Sequence, residues 1–252
     1  MVTCQRLTAF LDKYLDANAV EDSSWNGLQI EGRREVRRVM CAVDAGKVTF
    51  EEAAARSADY LIVHHGLFWK PDNPSIRGWR RERIDLLRDP GISLYASHLP
   101  LDRHRVVGNN ARLAALLNGT IREEFLSCGG KCIGWIARLD KARTVRSLAG
   151  KLEKELGGTC TVLACGPSRV RSFAVVSGGV GIRGVSEAIE RGVQVFITGE
   201  PCDVYHLAKD AGINVIFAGH HASETLGVKA LGGLVKKKFG VEADFVDIPT
   251  GL

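Results

Sequence analysis

The chain has no stretch approaching the ~18 consecutive apolar residues that a membrane span needs. Its first residues, Met1-Val2-Thr3-Cys4-Gln5-Arg6, do not have the basic, apolar, small-residue layout of an export signal. These absences predict a cytoplasmic protein with no membrane partner. Nor is there a Cys-x-x-Cys pair. The cysteines, at positions 4, 41, 128, 132, 160, 165 and 202, are odd in number, which argues against a disulfide framework and for reduced thiols acting as small hydrophobes. Cys128-x3-Cys132 and Cys160-x4-Cys165 have spacings that a zinc ion can use, but a thiolate site is the lesser reading. Internal repeats and low-complexity segments are also missing.

The net charge of +5 includes basic clusters at Arg77 to Arg83 and Lys236-Lys237-Lys238. No aromatic stacking pattern accompanies them in sequence, so they read first as solvated helix faces and nucleic-acid binding is the weaker alternative. A basic surface equally suits anionic small molecules such as nucleotides.

What is present is enough apolar material, 45% of 252 residues, for one large or two modest domains. Leu7, Phe10, Leu11, Tyr14 and Leu15 recur at helical spacing and predict a helix over about 4–17. Apolar runs at Val36 to Val43, Tyr60 to Val63 and Ile92 to Ala96 alternate with helical segments Val48 to Ala58, Ile84 to Leu87 and Asn110 to Leu117. This alternation predicts an α/β fold with mostly parallel or mixed sheets flanked by helices. After Cys128-Gly129-Gly130 the pattern restarts. Strands are expected at Ile133 to Leu139, Thr161 to Ala164, Phe173 to Val176, Val193 to Thr198, Ile213 to Ala218 and Ala243 to Ile248. Helices are expected at Thr144 to Leu156, with Thr144 as N-cap, at Val185 to Arg191, and after Ala222 as far as Lys236 to Lys238. Two α/β domains follow, 1–127 and 128–252, with the segment from about 218 packing back on the first.

Nitrogen and carboxylate ligands stand repeatedly where these strands end. Tyr60-Leu61-Ile62-Val63 runs straight into His64-His65-Gly66, Ser97-His98-Leu99-Pro100-Leu101-Asp102 follows another apolar run, and Gly219-His220-His221-Ala222-Ser223-Glu224 a third. In parallel α/β sheets ligands bind beyond the carboxyl ends of strands. Taken singly, His65 can bond a loop, Asp102 can cap a turn and Glu224 can be surface charge. Taken together, His64, His65, Asp102, His220 and Glu224 are too many donors for one tetrahedral ion and predict two divalent transition-metal ions, zinc, iron, manganese or cobalt. If a helix begins by His220, Glu224 shares its face. His98, His206, His221 and Glu200 are candidates for outer support or proton handling; His104 is expected at the surface.

Gly179-Val180-Gly181-Ile182-Arg183-Gly184 fits the dinucleotide fingerprint GxGxxG, with Glu200 about 20 residues on. A fuller dinucleotide-binding unit cannot be drawn around it, and it leaves the histidines unexplained. A milder reading has this loop meet a phosphate of the true ligand.

The ordered set Trp25-Asn26-Gly27-Leu28-Gln29-Ile30, Val43-Asp44, His64-His65-Gly66, His98 to Asp102, Thr198-Gly199-Glu200 and Gly219-His220-x2-Ser223-Glu224 resembles the NIF-three-like (NGG-one-interacting factor three) family across essentially the whole chain. Members carry the name GTP cyclohydrolase I type 2. The resemblance implies metal ligands at His64, His65, Asp102, His220 and Glu224, two α/β domains with the site between them, and a ring-shaped homohexamer. His221 departs from the pattern, since relatives often have an aromatic residue there.

The resemblance therefore implies a dinuclear metal-dependent hydrolase that opens the purine ring of GTP and releases formate; His98 or Glu200 would suffice as proton donor for that chemistry. Its alternatives are a noncatalytic, metal-stabilised hexameric scaffold or adaptor and a metal-dependent phosphoesterase.

Overall fold

A computed structural model describes residues 1–252. In chain order its elements are β1 (Val2–Thr3), α1 (Cys4–Leu15), β2 (Gly27–Ile30), β3 (Glu35–Val36), β4 (Arg38–Asp44), α2 (Lys47–Ala55), β5 (Tyr60–His65), α3 (Trp79–Arg88), β6 (Ser93–Ala96), α4 (Leu99–Arg103) and α5 (Asn109–Leu116). There follow β7 (Gly119–Cys128), β8 (Lys131–Thr144), α6 (Val145–Leu156), β9 (Thr161–Leu163), β10 (Arg169–Val176), α7 (Gly181–Glu190), β11 (Val195–Thr198), α8 (Tyr205–Ala211), β12 (Asn214–Phe217), α9 (His220–Phe239) and β13 (Glu242–Phe245). No helix is long and apolar enough to cross a membrane.

The chain forms two compact units. The first comprises Met1–Leu101 and Gly227–Ile248, the second Asp102–Leu226 and Pro249–Leu252. The crossings after Leu101 and after Leu226 thus fall inside helices, α4 and α9, where composition gives no linker signal. The Gly-rich stretch expected to separate domains at 127/128 is instead the turn of a hairpin inside the second unit, with Cys128 paired to Lys131. Gly129 and Gly130, at φ +57° and +79°, supply the positive dihedrals of that turn.

In the first unit a five-stranded sheet runs β13-β4-β5-β6-β2. β13, β4, β5 and β6 are parallel, and β2 adds to β6 antiparallel. Side chains alternate across the pleat. Met40, Ala42, Leu61, Val63, Leu94 and Ala96 share a core with Phe50 and Ala53 of α2 and Leu87 of α3. On the opposite face Tyr60 Oη lies 2.9 Å from Thr8 Oγ1, and Tyr95 Oη donates to Asp12 Oδ1 at 3.0 Å, tying α1 to the sheet. Phe10 of α1 meets Phe239 of α9 edge-on at 5.3 Å. Residues 227–248 belong to this unit because β13 pairs with β4.

The second unit holds a six-stranded sheet, β7-β8-β10-β11-β12-β9. Only β10, β11 and β12 are mutually parallel, and the outer strands are antiparallel. Its core gathers Trp135, Phe173, Val175, Val195, Ile197 and Ile216 against Leu113 and Ala114 of α5 and Leu148 and Leu152 of α6. Thr144 caps α6 by accepting from Ser147 N, as its sequence context predicts.

Candidate metal centre

In the first unit the donors grow out of two neighbouring strand ends. His64 and His65 are the last residues of β5, and His98 follows β6, its parallel neighbour. Their imidazole nitrogens come within 4.8 Å of one another. The rings of His64 and His65 lie 4.7 Å apart, and His98 lies 5.1 Å from the first and 5.6 Å from the second. His64 is fully buried, an unfavourable place for a polar ring unless its nitrogens are engaged.

Each of these rings is held by Nδ1. His64 Nδ1 lies 2.9 Å from the carbonyl of Ser97, His65 Nδ1 2.7 Å from Asp44 Oδ1, and His98 Nδ1 2.9 Å from Asp22 Oδ1. A carbonyl can only accept, so His64 carries its proton on Nδ1 and its lone pair on Nε2. The carboxylates impose the same tautomer on the other two. This pattern, one nitrogen tethered and the other aimed, is how metal-ligating histidines are built.

Asp22 carries no sequence signal that marks it as a site residue. It is buried, and its two oxygens accept from His98 Nδ1, Ser24 N, Asn26 Nδ2 and Leu99 N. Burial alone pushes its pKa up, but the hydrogen bond and charge of His98, then Asn26 and Ser24, bring it down to about 2. Asn26 Oδ1 further accepts from the His98 backbone N–H at 2.8 Å. The Trp25-Asn26-Gly27 segment thus acts as a clamp on the His98 loop.

In the second unit α9 begins at His220, directly after β12, so Glu224 falls one turn later on the same face. His220 Nε2 lies 3.3 Å from Glu224 Oε2, and its Nδ1 lies 2.7 Å from Glu200 Oε1. Here too Nδ1 is tethered. The Glu224 hydrogen bond is the main cause raising the His220 pKa to about 9; burial opposes it, and Glu200 adds to the rise. Two carboxylates on one imidazole make a strongly cation-favouring arrangement.

Asp102, buried in α4, accepts on Oδ1 from Asn109 Nδ2 at 2.9 Å and from Ser177 Oγ at 3.0 Å, which fixes the carboxylate plane. Ser223 Oγ accepts from Gly178 N and donates to the His220 carbonyl, locking the first turn of α9 to the loop after β10.

The GxGxxG segment is used for these donors. A Cβ on Gly179 would strike Glu200 Oε2, Gly181 sits at φ +58°, and a Cβ on Gly184 would lie 2.6 Å from Phe196 Cζ. Gly178 just before it makes room for Glu224 in the same way. The motif's glycines therefore admit carboxylates and a close helix–sheet approach. Of the remaining histidines, His221 is buried, His206 is exposed on α8, and His104 Nδ1 accepts from the backbones of Val106 and Val107 to close a turn.

Imidazole and carboxylate donors, without a thiolate among them, suit divalent zinc, iron, manganese or cobalt. The tethered rings and braced carboxylates in each unit fit such ions.

A model of the Duf34/NIF3 (NGG1p interacting factor 3) family matches residues 2–250. A GTP cyclohydrolase 1 type 2 homolog from Archaeoglobus fulgidus is 49% identical over 244 residues, covering 96% of this chain and 97% of that protein. One from Pyrococcus horikoshii is 44% identical, covering 98% of each. Among solved structures, protein ybgI, described as of unknown function, matches over 100% of both chains with a TM-score of 0.93 and 35% identity. TTHA1606 from Thermus thermophilus does so with a TM-score of 0.88 and 38% identity.

Proposed function

The chain belongs to the Duf34/NIF3 (NGG1p interacting factor 3) family, and from that membership and its two donor sets we propose that it is a metal-dependent hydrolase. His64, His65, Asp102, His220 and Glu224 hold a pair of divalent ions in this reading. The observation that carries it is the uniform tethering of His64, His65, His98 and His220 through Nδ1, which commits one nitrogen of every ring to orientation.

A bound ion pair supplies Lewis acidity and activates water near neutral pH. The chain's own groups do the rest. Asp44, Ser97 and Glu200 set tautomer and ring angle at the ligating histidines, while Asn109 and Ser177 set the Asp102 carboxylate. His98, half-buried and held by Asp22, and Glu200, whose side chain is 48% exposed, are the groups assigned to proton handling.

The finer reading follows the names of the relatives. It is opening of the purine ring of GTP, in which one water adds to the imidazole carbon and breaks its first C–N bond to leave a formamide, and a second water hydrolyses that formamide, releasing formate and a free amine. The ring-shaped homohexamer and a cytoplasmic setting, which suits seven free cysteines, belong to the same proposal.

Elemental analysis of anaerobically purified protein, then GTP incubation with formate and phosphate assays, tests this. A pair of transition-metal ions per chain, with formate release abolished by chelation and in H64A and E224A, is expected. Phosphate without formate would move the reaction to phosphoester cleavage, and full metal content without turnover would favour the scaffold.

A further inference from the structure

The first unit carries a cleft of about 540 Å³ formed by the start of β2, the loop after β5 and the start of α3. That volume is in the range of small-ligand sites, roughly 300–1,000 Å³. Three of the four tryptophans of the chain line it, Trp25, Trp69 and Trp79, although they are far apart in sequence. Trp25 and Trp79 are 55% and 58% exposed, and Ile76 beside them 55%. So much indole surface left to water at one place is unusual in a fold that buries most of its other large aromatics.

The cleft is also cationic. Arg80 and Arg83 line it, 4.9 Å and 5.6 Å from the Trp79 ring centroid. The other arginines of α3 reach carboxylates, Arg81 and Arg88 both pairing with Asp85. Arg80 and Arg83 pair with none. Arg83 donates to the Ala45 carbonyl, which aims its guanidinium; burial, and then the neighbouring Arg80, lowers its pKa. Asp72 is the sole carboxylate in the lining.

One end of the cleft adjoins the donor histidines of this unit. Gly66 in its wall follows His65 directly, and the Trp69 ring stands edge-on to His98 at 5.1 Å and 5.9 Å from His65. Trp69 is fixed there by its Nε1–H bond to the Gly66 carbonyl at 3.1 Å.

We infer that this cleft is a nucleotide-binding site, in which a planar base lies among Trp25, Trp69 and Trp79 and the phosphates are met by Arg80 and Arg83. Indole faces hold any flat heteroaromatic ring, and guanidiniums bind phosphate oxygens in a bidentate fork. A base seated against Trp69 stands next to His65 and His98. This assignment rests on the hydrolase reading and deepens it by giving the substrate a seat.

Calorimetric titration of the EDTA-treated full chain with GTP, guanosine and inorganic triphosphate tests it, since removal of metal leaves the cleft as the phosphate site. Wild type should bind GTP. R80A, and more strongly R80A/R83A, should weaken GTP by roughly tenfold per guanidinium lost while leaving guanosine unchanged. W79A should weaken both ligands. R80A stays informative if the double variant fails to fold. No GTP binding by wild type, or equal binding in all variants, overturns the inference; so does a change of oligomeric state in W79A with GTP binding intact, which would make the cleft a face between copies. Metal content measured before EDTA treatment separates the two readings. A metal-free chain that still binds GTP through the cleft overturns the ion pair alone, and a metal-bearing chain whose variants bind like wild type overturns the cleft alone.

Discussion

Asp22 and His98, 76 residues apart in sequence, meet through a 2.9 Å hydrogen bond between a buried carboxylate and an imidazole Nδ1. No other side chain hydrogen-bonds the His98 ring. Asp22 also accepts from Leu99 N, at the start of the short helix that presents Asp102.

Because the Asp22 pKa falls from 3.8 to about 2 on folding, its contribution is fully present above pH 3.8 and fades as pH drops through 2. The sign follows from linkage, since the unfolded chain binds the proton more tightly. A shift of that size corresponds to roughly 2 kcal/mol. In D22N, urea-unfolding stability near pH 7 should fall by ~1–3 kcal/mol, and the loss of stability between pH 4 and 2 should be shallower than in wild type. Parallel acid limbs for the two proteins would refute this account.

The carboxylates behind His65 and His220 should tune metal affinity without being ligands. D44N and E200Q each keep an acceptor oxygen opposite Nδ1 but remove the charge that makes the imidazole basic. Each should lose about 10- to 100-fold in affinity for a divalent ion, measured by chelator competition, with little change in melting temperature of the metal-free protein. Undiminished affinity in both would mean the tethers are structural only.

Neighbouring glycines of α9 should respond with opposite signs. A Cβ on Gly232 would lie 2.7 Å from Cys41 Sγ on β4, whereas Gly233 has open space around it. G233A should stabilise by about 0.5–1 kcal/mol, the ordinary gain from helix propensity. G232A should destabilise by ~1–3 kcal/mol through overpacking, and C41A should restore much of that loss in the double variant. Cys41, whose thiol is pushed up to about 12 by burial and then by Asp244, should also resist alkylation at pH 8 in the folded chain. Similar melting shifts for both glycine variants would contradict the packing.

These cases show what was legible in the chain. The candidate donor positions on β5 and α9 could be read because apolar runs, Tyr60 to Val63 and Ile213 to Ala218, stop where the donors begin, and i, i+4 spacing already implies a shared helix face. The parallel core strands were legible for the same reason. β7 was not: of its sequence, GTIREEFLSC, only Phe125 and Leu126 are buried, and a register shift between Ile121 and Glu123 breaks the two-residue period. The tethers Asp22, Asp44 and Ser97 lie 76, 21 and 33 residues from their histidines, so only strand order brings them into reach. The division into units was hidden because the chain passes from one to the other within α4 and within α9. The indole cleft was hidden because Trp25, Trp69 and Trp79 come from three separate segments.

Gly178 gives the sharpest test of how the fold makes room for a carboxylate. It sits at φ +65°, and a Cβ there would collide with Glu224 Oε1 and lie 3.3 Å from His220 Nε2. The backbone around it cannot retreat, because its carbonyl accepts from Gly199 N and Glu200 N, each at 2.9 Å, and its N–H is bound to Ser223 Oγ. In G178A the carboxylate must therefore swing away from His220. The metal-free protein should lose ~1–2 kcal/mol from left-handed strain, and metal content should fall as far as in E224A, although no ligand has been removed. A control at Gly150, an exposed position of α6 where an added Cβ would meet open space, should keep its ions and gain slightly in stability. Should G178A purify with full metal content, Glu224 is not a ligand in the position it occupies here, and the ion pair would have to be assigned to other donors.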